Sequence, residues 1–361
     1  MTRPVRARID LRALQHNFTL ATRAAAGSRV LAVIKANAYG HGAVAVARAL
    51  PDADAFALAS VEEAVQLREA GVSTPLVLLE GVFSADELET VAAHGLQVVV
   101  HSREQVAWLE QAASAPLHIW LKVDTGMHRL GVEPAEFPDL RRRLSALVAA
   151  RGGSLRLMSH LACADEPRHP ANDSQLSAFR ALDAGGLECS LANSAALLSR
   201  PDMRFDWVRP GIMLYGATPF EPSAGEQTQL QPVMNLETQL IAVYARRKGD
   251  SIGYGLTWTC PRDMVLGVAA AGYGDGYPRH APVGTPVLVN GRVAPLVGRV
   301  SMDMVCVDLS EQPDARIGAP VRLWGEGVPV EALAERAGTI SYELLCNVSP
   351  RVPREYLDGE S

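Results

Sequence analysis

The chain of 361 residues reads as an α/β protein: an N-terminal (β/α)8 barrel followed by a mostly β C-terminal domain. Three observations predict this. Short apolar runs alternate with amphipathic stretches from residue 30 to about 215. Those runs are apolar throughout, as strands covered on both faces must be. Beyond residue 232 the pattern becomes strand after strand with turn residues between, as in antiparallel sheets.

Residues 5–9 alternate and read as a strand added to the second domain. The barrel strands fall at 30–34, 55–59, 76–79, 96–100, 117–123, 155–160, 187–191 and 207–209. Helical patterns lie between them, such as 61–68 and 102–109, the latter opened by Ser102 as an N-cap. Eight strand–helix units in about 185 residues fit a closed barrel; a doubly wound open sheet is the alternative. Residues 218–232 are rich in Pro, Gly, Glu and Gln and read as a linker. The domains are therefore expected at 10–225 and 226–361, with 1–9 joining the second. Its strands are expected at 236–244, 264–270, 285–289, 292–297, 304–309 and 321–324. Asn290-Gly291 signals a type I′ hairpin, and helices are expected at 330–336 and after Thr339.

Composition narrows the function. Hydrophobic residues make up 48%, charged residues 20%, and the net charge is −6. The longest basic block, Arg141-Arg142-Arg143, lies in a helical stretch and reads as a solvated face. Neither nucleic acid nor a membrane surface is an expected partner. No apolar run is long enough to span a bilayer, and the N-terminus has no signal-like core. The five cysteines are odd in number without a CxxC pair, so reduced, mostly buried thiols in a cytoplasmic protein are expected. No His/Cys cluster has metal-ligand spacing, and no metal is expected.

Basic residues are almost all arginine: three lysines stand against 31 arginines. Lys35 and Lys122 end two strand-like runs, while Lys248 lies in a polar turn sequence. An amine can lose its proton and form a Schiff base, which a guanidinium cannot. Lys35 falls at the C-terminal end of the first barrel strand, where barrel active sites form. Ser194 opens the apolar helical run 195–198 and reads as an N-cap, serving either an anion or the helix alone. It follows strand seven, and Gly211-Ile212 follows strand eight; barrels commonly hold phosphate at those two loops.

The motifs then run in order along nearly the whole chain. They are Val33-Ile34-Lys35-Ala36-Asn37-Ala38-Tyr39-Gly40-His41-Gly42, Lys122-Val123-Asp124-Thr125-Gly126-Met127-His128-Arg129, Ser159-His160, Asn193-Ser194 and Val208-Arg209-Pro210-Gly211-Ile212. In the second domain they are Gly253-Tyr254-Gly255, Gly272-Tyr273-Gly274-Asp275-Gly276-Tyr277, Ser301-Met302-Asp303 and Tyr342-Glu343. This series resembles the alanine racemases. The resemblance implies that Lys35 binds pyridoxal 5′-phosphate as a Schiff base and that L- and D-alanine are interconverted by two bases. Such an enzyme supplies D-alanine for peptidoglycan or serves alanine catabolism.

By the same resemblance Lys35 takes the Cα proton from D-alanine and Tyr254 takes it from L-alanine. A phenol ionises near ~10, so that base needs a positive field, for which the family pattern offers His160 and Arg209. Arg209 faces the pyridine nitrogen and leaves it unprotonated. Tyr39, Asn193, Ser194, Gly211, Ile212 and Tyr342 hold the cofactor. Arg129 and Met302 contact the substrate, and Asp303 supports them. Asp165, Tyr273 and Tyr342 narrow the entrance. Lys122 matches a position that carries a carbamate able to hold Arg129; a buried lysine paired with an acid is the alternative. Tyr254, Tyr273 and Met302 lie in the β domain and Lys35 in the barrel, so the resemblance implies a homodimer with shared active sites. A decarboxylase of the same architecture fits less well, given Arg209 and the Tyr254 motif. A one-domain cofactor carrier does not account for residues 233–361.

Overall fold

A computed structural model describes residues 3–112, 116–220 and 228–357. It opens on β1, Arg6–Asp10. Asp10 then caps the helix Leu11–Ala25, its carboxylate accepting the N–H groups of Arg12 and Ala13 at 2.9 and 3.0 Å.

Eight parallel strands follow: β2 Arg29–Val33, β3 Ala55–Leu58, β4 Leu76–Leu78, β5 Gln97–Val100, β6 Leu117–Lys122, β7 Gly153–Met158, β8 Glu188–Asn193 and β9 Trp207–Arg209. They close in sequence order, with Arg29 opposite Trp207 and Val30 opposite Val208. Closure removes the sheet edges and excludes the open-sheet alternative. Ser102 caps the helix Arg103–Gln111, as expected, by accepting from Gln105 N–H at 3.2 Å.

The N-terminal end of this barrel is plugged. Trp120 and Trp207 meet edge to face at 5.3 Å, with the Arg156 guanidinium over both rings. Burial alone would raise the Glu188 carboxyl, but hydrogen bonds from Trp207, Arg29 and Arg156 outweigh it and hold Glu188 at about 2. The opposite end is left for chemistry.

The second domain contains β10 Met234–Arg246, β11 Ser251–Ile252, β12 Trp258–Thr259, β13 Met264–Ala269, β14 Pro286–Val289, β15 Arg292–Val297, β16 Val305–Asp308, β17 Pro320–Trp324 and β18 Arg354–Leu357. The long strand β10 pairs with β17 through its first half and with β13 through its second. The ring β10–β13–β16–β15–β14–β17 is thereby closed. β1 lies between β10 and β18. Asn290 and Gly291 have φ of 49° and 74°, as a type I′ turn requires. The helices are Val330–Ala337 and Ser341–Cys346. Strands β11, β12 and β18 were not expected: two are two residues long, and β18 is mostly polar, so none shows a period.

The expected boundary at 225/226 and the middle of the linker lie outside the described residues. All five cysteines are free, but the burial expectation needs correction. Cys189 and Cys260 are buried, Cys163 and Cys306 are partly covered, and Cys346 is exposed because it faces a cavity. Among the described residues no helix is long and apolar enough to cross a membrane, and no His/Cys/Asp/Glu group could hold a metal ion. Lys248 is exposed in a turn, its N–H bound to Asp263.

Candidate active site

Lys35 lies two residues beyond β2, at the mouth of a left-handed turn. Ala36, Asn37, Ala38 and Tyr39 have φ of 53°, 52°, 53° and 51°. For a residue with a Cβ this conformation costs roughly 1–2 kcal/mol, so its surroundings must hold it in place. Glu63 accepts the N–H groups of Asn37 and Ala59 at 3.3 and 2.9 Å. The Asn37 side chain accepts from Ala43 N–H at 2.9 Å. Gly40 follows at φ 81°, where a Cβ would fall 2.2 Å from the Leu345 carbonyl oxygen.

The turn opens on a cavity of about 540 Å3 at the C-terminal end of the barrel. Its wall brings together Lys35, Tyr39, Lys122, Arg129, His160, Asn193, Ser194, Arg209, Gly211, Ile212 and Tyr342. Those eleven residues come from the ends of β2, β6, β7, β8 and β9 and from the helix Ser341–Cys346.

Positive charge dominates this wall. Lys35, Lys122, Arg129 and Arg209 all contribute to it, and the acid among its lining residues is Glu80, 3.7 Å from Lys35 Nζ. Sequence reasoning missed Glu80, although an acid just past the end of β4 is the kind of signal that exposed Lys35. Lys122 is buried and forms no ion pair or hydrogen bond among the described residues, although the Glu80 carboxylate acts on it through space. Burial, then Arg209, Arg129 and Lys35, pull its amine down to about 8.

Arg209 is buried and pulled down to about 10, still charged at neutral pH. It donates to the Ser190 hydroxyl at 2.6 Å, to the Ser159 and Leu191 carbonyls at 2.6 and 3.1 Å, and to His160 Nδ1 at 3.2 Å. Its Nε–H meets no acceptor among the described residues, so this donor remains for a bound group.

Ser194 is not the N-cap. Asn193 caps the helix Ser194–Ser199, its side-chain oxygen accepting from Ala196 N–H at 3.1 Å. Ser194 is the first helical residue, and its hydroxyl accepts the N–H groups of Gly211 and Met213 at 2.8 and 3.4 Å. The cap falls one residue earlier than the sequence pattern suggests because Asn193 completes β8 while starting the helix. The Ser194 hydroxyl keeps its own hydrogen for an anion. Burial pushes the Tyr39 and Tyr342 phenols up, so both also remain neutral donors.

Other expected residues lie elsewhere. Asp165 lines an adjoining cavity of about 510 Å3, which shares His160, Asn193 and Tyr342 with the first. Tyr254 tops the loop between β11 and β12 and is 69% exposed. Tyr273 and Met302 are exposed on neighbouring turns, joined by hydrogen bonds from Tyr273 N–H to Ser301 and from Gly274 N–H to Met302. Behind them Arg351 ties Asp303 to the buried Asp275. None of Tyr254, Tyr273, Met302 and Asp303 lines the barrel cavity of its own chain.

Comparison with known proteins shows the family. The profile of the alanine racemase N-terminal domain matches residues 9–219, and that of the C-terminal domain matches residues 233–356. An alanine racemase of Pseudomonas entomophila (strain L48) is 52% identical over 354 residues, covering 97% of this chain and 98% of its own length. The biosynthetic alanine racemase from Pseudomonas aeruginosa has a crystal structure that matches with a TM-score of 0.92 at 48% identity, over 99% of this chain and 100% of that one. Alanine racemase from Bartonella henselae, solved with covalently bound pyridoxal phosphate, matches at a TM-score of 0.89 and 31% identity over 98% of this chain and 99% of that one. The chain belongs to the alanine racemase family, pyridoxal-phosphate-dependent isomerases that interconvert L- and D-alanine.

Proposed function

We propose that the barrel cavity holds pyridoxal 5′-phosphate at Lys35 and that two copies of the chain share their active sites. The observation that carries this is a division of labour. The amine and the anion-binding groups line one cavity, while Tyr254, Tyr273 and Met302 stand exposed on the other domain. A second copy supplies to each cavity what its own chain does not.

The residues fit the cofactor. Neutral hydroxyls from Ser194, Tyr39 and Tyr342 suit a phosphate, and Gly211 makes room, since a Cβ there would sit 2.7 Å from the Tyr39 hydroxyl oxygen. The Arg209 Nε–H is free to donate to a ring nitrogen, and a guanidinium does not surrender its proton there. When bound, the cofactor spreads the negative charge left at Cα after proton loss.

The chain moves the proton. Lys35 serves one face of Cα and Tyr254 of the partner subunit serves the other, because a single base would return the proton to the side it left. Arg129 neutralises the substrate carboxylate, and Met302 of the partner subunit offers its backbone N–H. Asp165, Tyr342 and the partner subunit's Tyr273 narrow the entrance in favour of alanine. Lys122, with its lowered amine, takes up carbon dioxide as a carbamate that holds Arg129. The free thiols fit the reducing cytoplasm.

Borohydride reduction of the cofactor-loaded protein, followed by peptide mapping, tests the attachment. Label on the Lys35 peptide is expected; label elsewhere defeats the assignment. Racemisation rates with alanine, serine, lysine and arginine are expected to favour alanine.

A further inference from the structure

We propose that His41 is a positioning residue for Lys35 and Tyr39, fixing the left-handed turn by donating one ring N–H to two of its carbonyls. The inference rests on cofactor attachment at Lys35 and adds a residue that does not line the cavity.

The carbonyls of the turn show why it needs His41. Ala36 C=O accepts from Gly40 N–H at 3.0 Å, and Asn37 C=O accepts from Gly42 N–H at 2.9 Å. Ala38 C=O accepts from His41 N–H at 3.0 Å. The Tyr39 carbonyl is reached by no backbone N–H among the described residues. His41 Nδ1 lies 2.9 Å from it and 3.0 Å from the Ala38 oxygen. Both oxygens only accept, so Nδ1 carries the hydrogen.

The rest of the ring confirms that tautomer. His41 is fully buried, and its Nε2 has no hydrogen-bond partner among the described residues. A second ring hydrogen would be stranded there, whereas a lone pair is less costly. Burial, with a smaller push from Arg354, holds His41 at about 4 against the backbone hydrogen bonds, so the ring is neutral in use.

The ring also clamps sideways. Tyr215 stacks on both His41 and Tyr39, with centroids 4.6 and 4.7 Å away. Its hydroxyl donates to the Val33 carbonyl at 2.9 Å, at the end of β2. The strand end before Lys35 and the turn after it are therefore fixed against one aromatic stack.

Three substitutions in the full-length holoenzyme separate the hydrogen bond from the stacking. His41→Asn places an amide N–H near the Nδ1 position, His41→Gln moves it one carbon outward, and His41→Phe keeps a ring without a donor. Equilibrium dialysis gives the cofactor dissociation constant, and borohydride labelling gives the occupancy of Lys35. His41→Phe and His41→Gln are expected to weaken cofactor binding about tenfold or more, with His41→Asn within about threefold of the parent. Parental binding and labelling by His41→Phe would overturn the proposal, as would equal impairment of Asn and Gln. Should His41→Phe not fold, the comparison of Asn with Gln decides. If the parent itself is not labelled at Lys35, the attachment assignment fails instead.

Discussion

Arg209 donates from Nη2 to Nδ1 of His160 across 3.2 Å, and no carboxylate pairs with it among the described residues. A guanidinium keeps its hydrogen, so His160 accepts at Nδ1 and carries its own hydrogen at Nε2 when neutral. Burial, then Arg209 and Lys122, lower the imidazole well below its usual range. The pair thus brings a single, permanent positive charge to the cavity.

That charge makes the first prediction. Arg209→Glu places an acid where the ring nitrogen is proposed to lie, which favours a protonated ring and a stronger electron sink. Pyruvate released by transamination should rise, and racemisation should fall on the order of a hundredfold. Unchanged pyruvate formation would count against Arg209 as the ring partner.

Removal of the second base should act on one face alone. Tyr254→Phe is expected to lower racemisation by about 10²–10⁴ while leaving cofactor content intact. In deuterated water D-alanine should still exchange its Cα hydrogen through Lys35. Loss of that exchange along with racemisation would argue against two bases.

Shared sites predict complementation. Lys35→Ala and Tyr254→Phe chains are each inactive, but a mixed dimer has one site with both residues intact. Random reassortment should restore about a quarter of the parental activity. Sites contained within one chain would restore none.

Lys122 predicts a pH-dependent stability. It ionises at about 8 in the folded protein. An ordinary lysine ionises near ~10.4. Between these values the unfolded chain binds more protons, so this residue's cost to stability is full below the folded value and fades as pH rises through the window. In bicarbonate-free buffer Lys122→Met should stabilise the protein at pH 7, by on the order of 1–3 kcal/mol in urea unfolding. The gap should narrow by pH 10, and a destabilised variant at pH 7 would refute the argument.

Gly211→Ala tests the phosphate cradle. The added Cβ would lie 2.7 Å from the Tyr39 hydroxyl oxygen and 3.5 Å from Val33 Cβ. Tyr39 is backed by Tyr215 at 4.7 Å and has little room to retreat. Overpacking of about 1–3 kcal/mol should weaken cofactor affinity roughly tenfold. Unaltered affinity by dialysis would mean that the phosphate lies elsewhere.

The sequence alone determined the barrel, because strands covered on both faces must be apolar throughout, as Leu76–Leu78 is. It determined the hairpin at Asn290-Gly291, where two positive φ angles restrict the choice of residue. It also marked Lys35, one of three lysines against 31 arginines and placed at the end of a barrel strand. Tertiary structure decided the rest. The shift of the cap from Ser194 to Asn193 depends on where β8 ends, and no local signal divides a strand from the helix it starts. The lowered amine of Lys122 depends on burial and on the charge of Arg209, remote in sequence. The left-handed turn after Lys35 arises from no propensity of Ala36, Ala38 and Tyr39, which favour other conformations; Asn37 alone is suited to it. It exists because Glu63, His41 and Tyr215 are packed around it by the closed barrel.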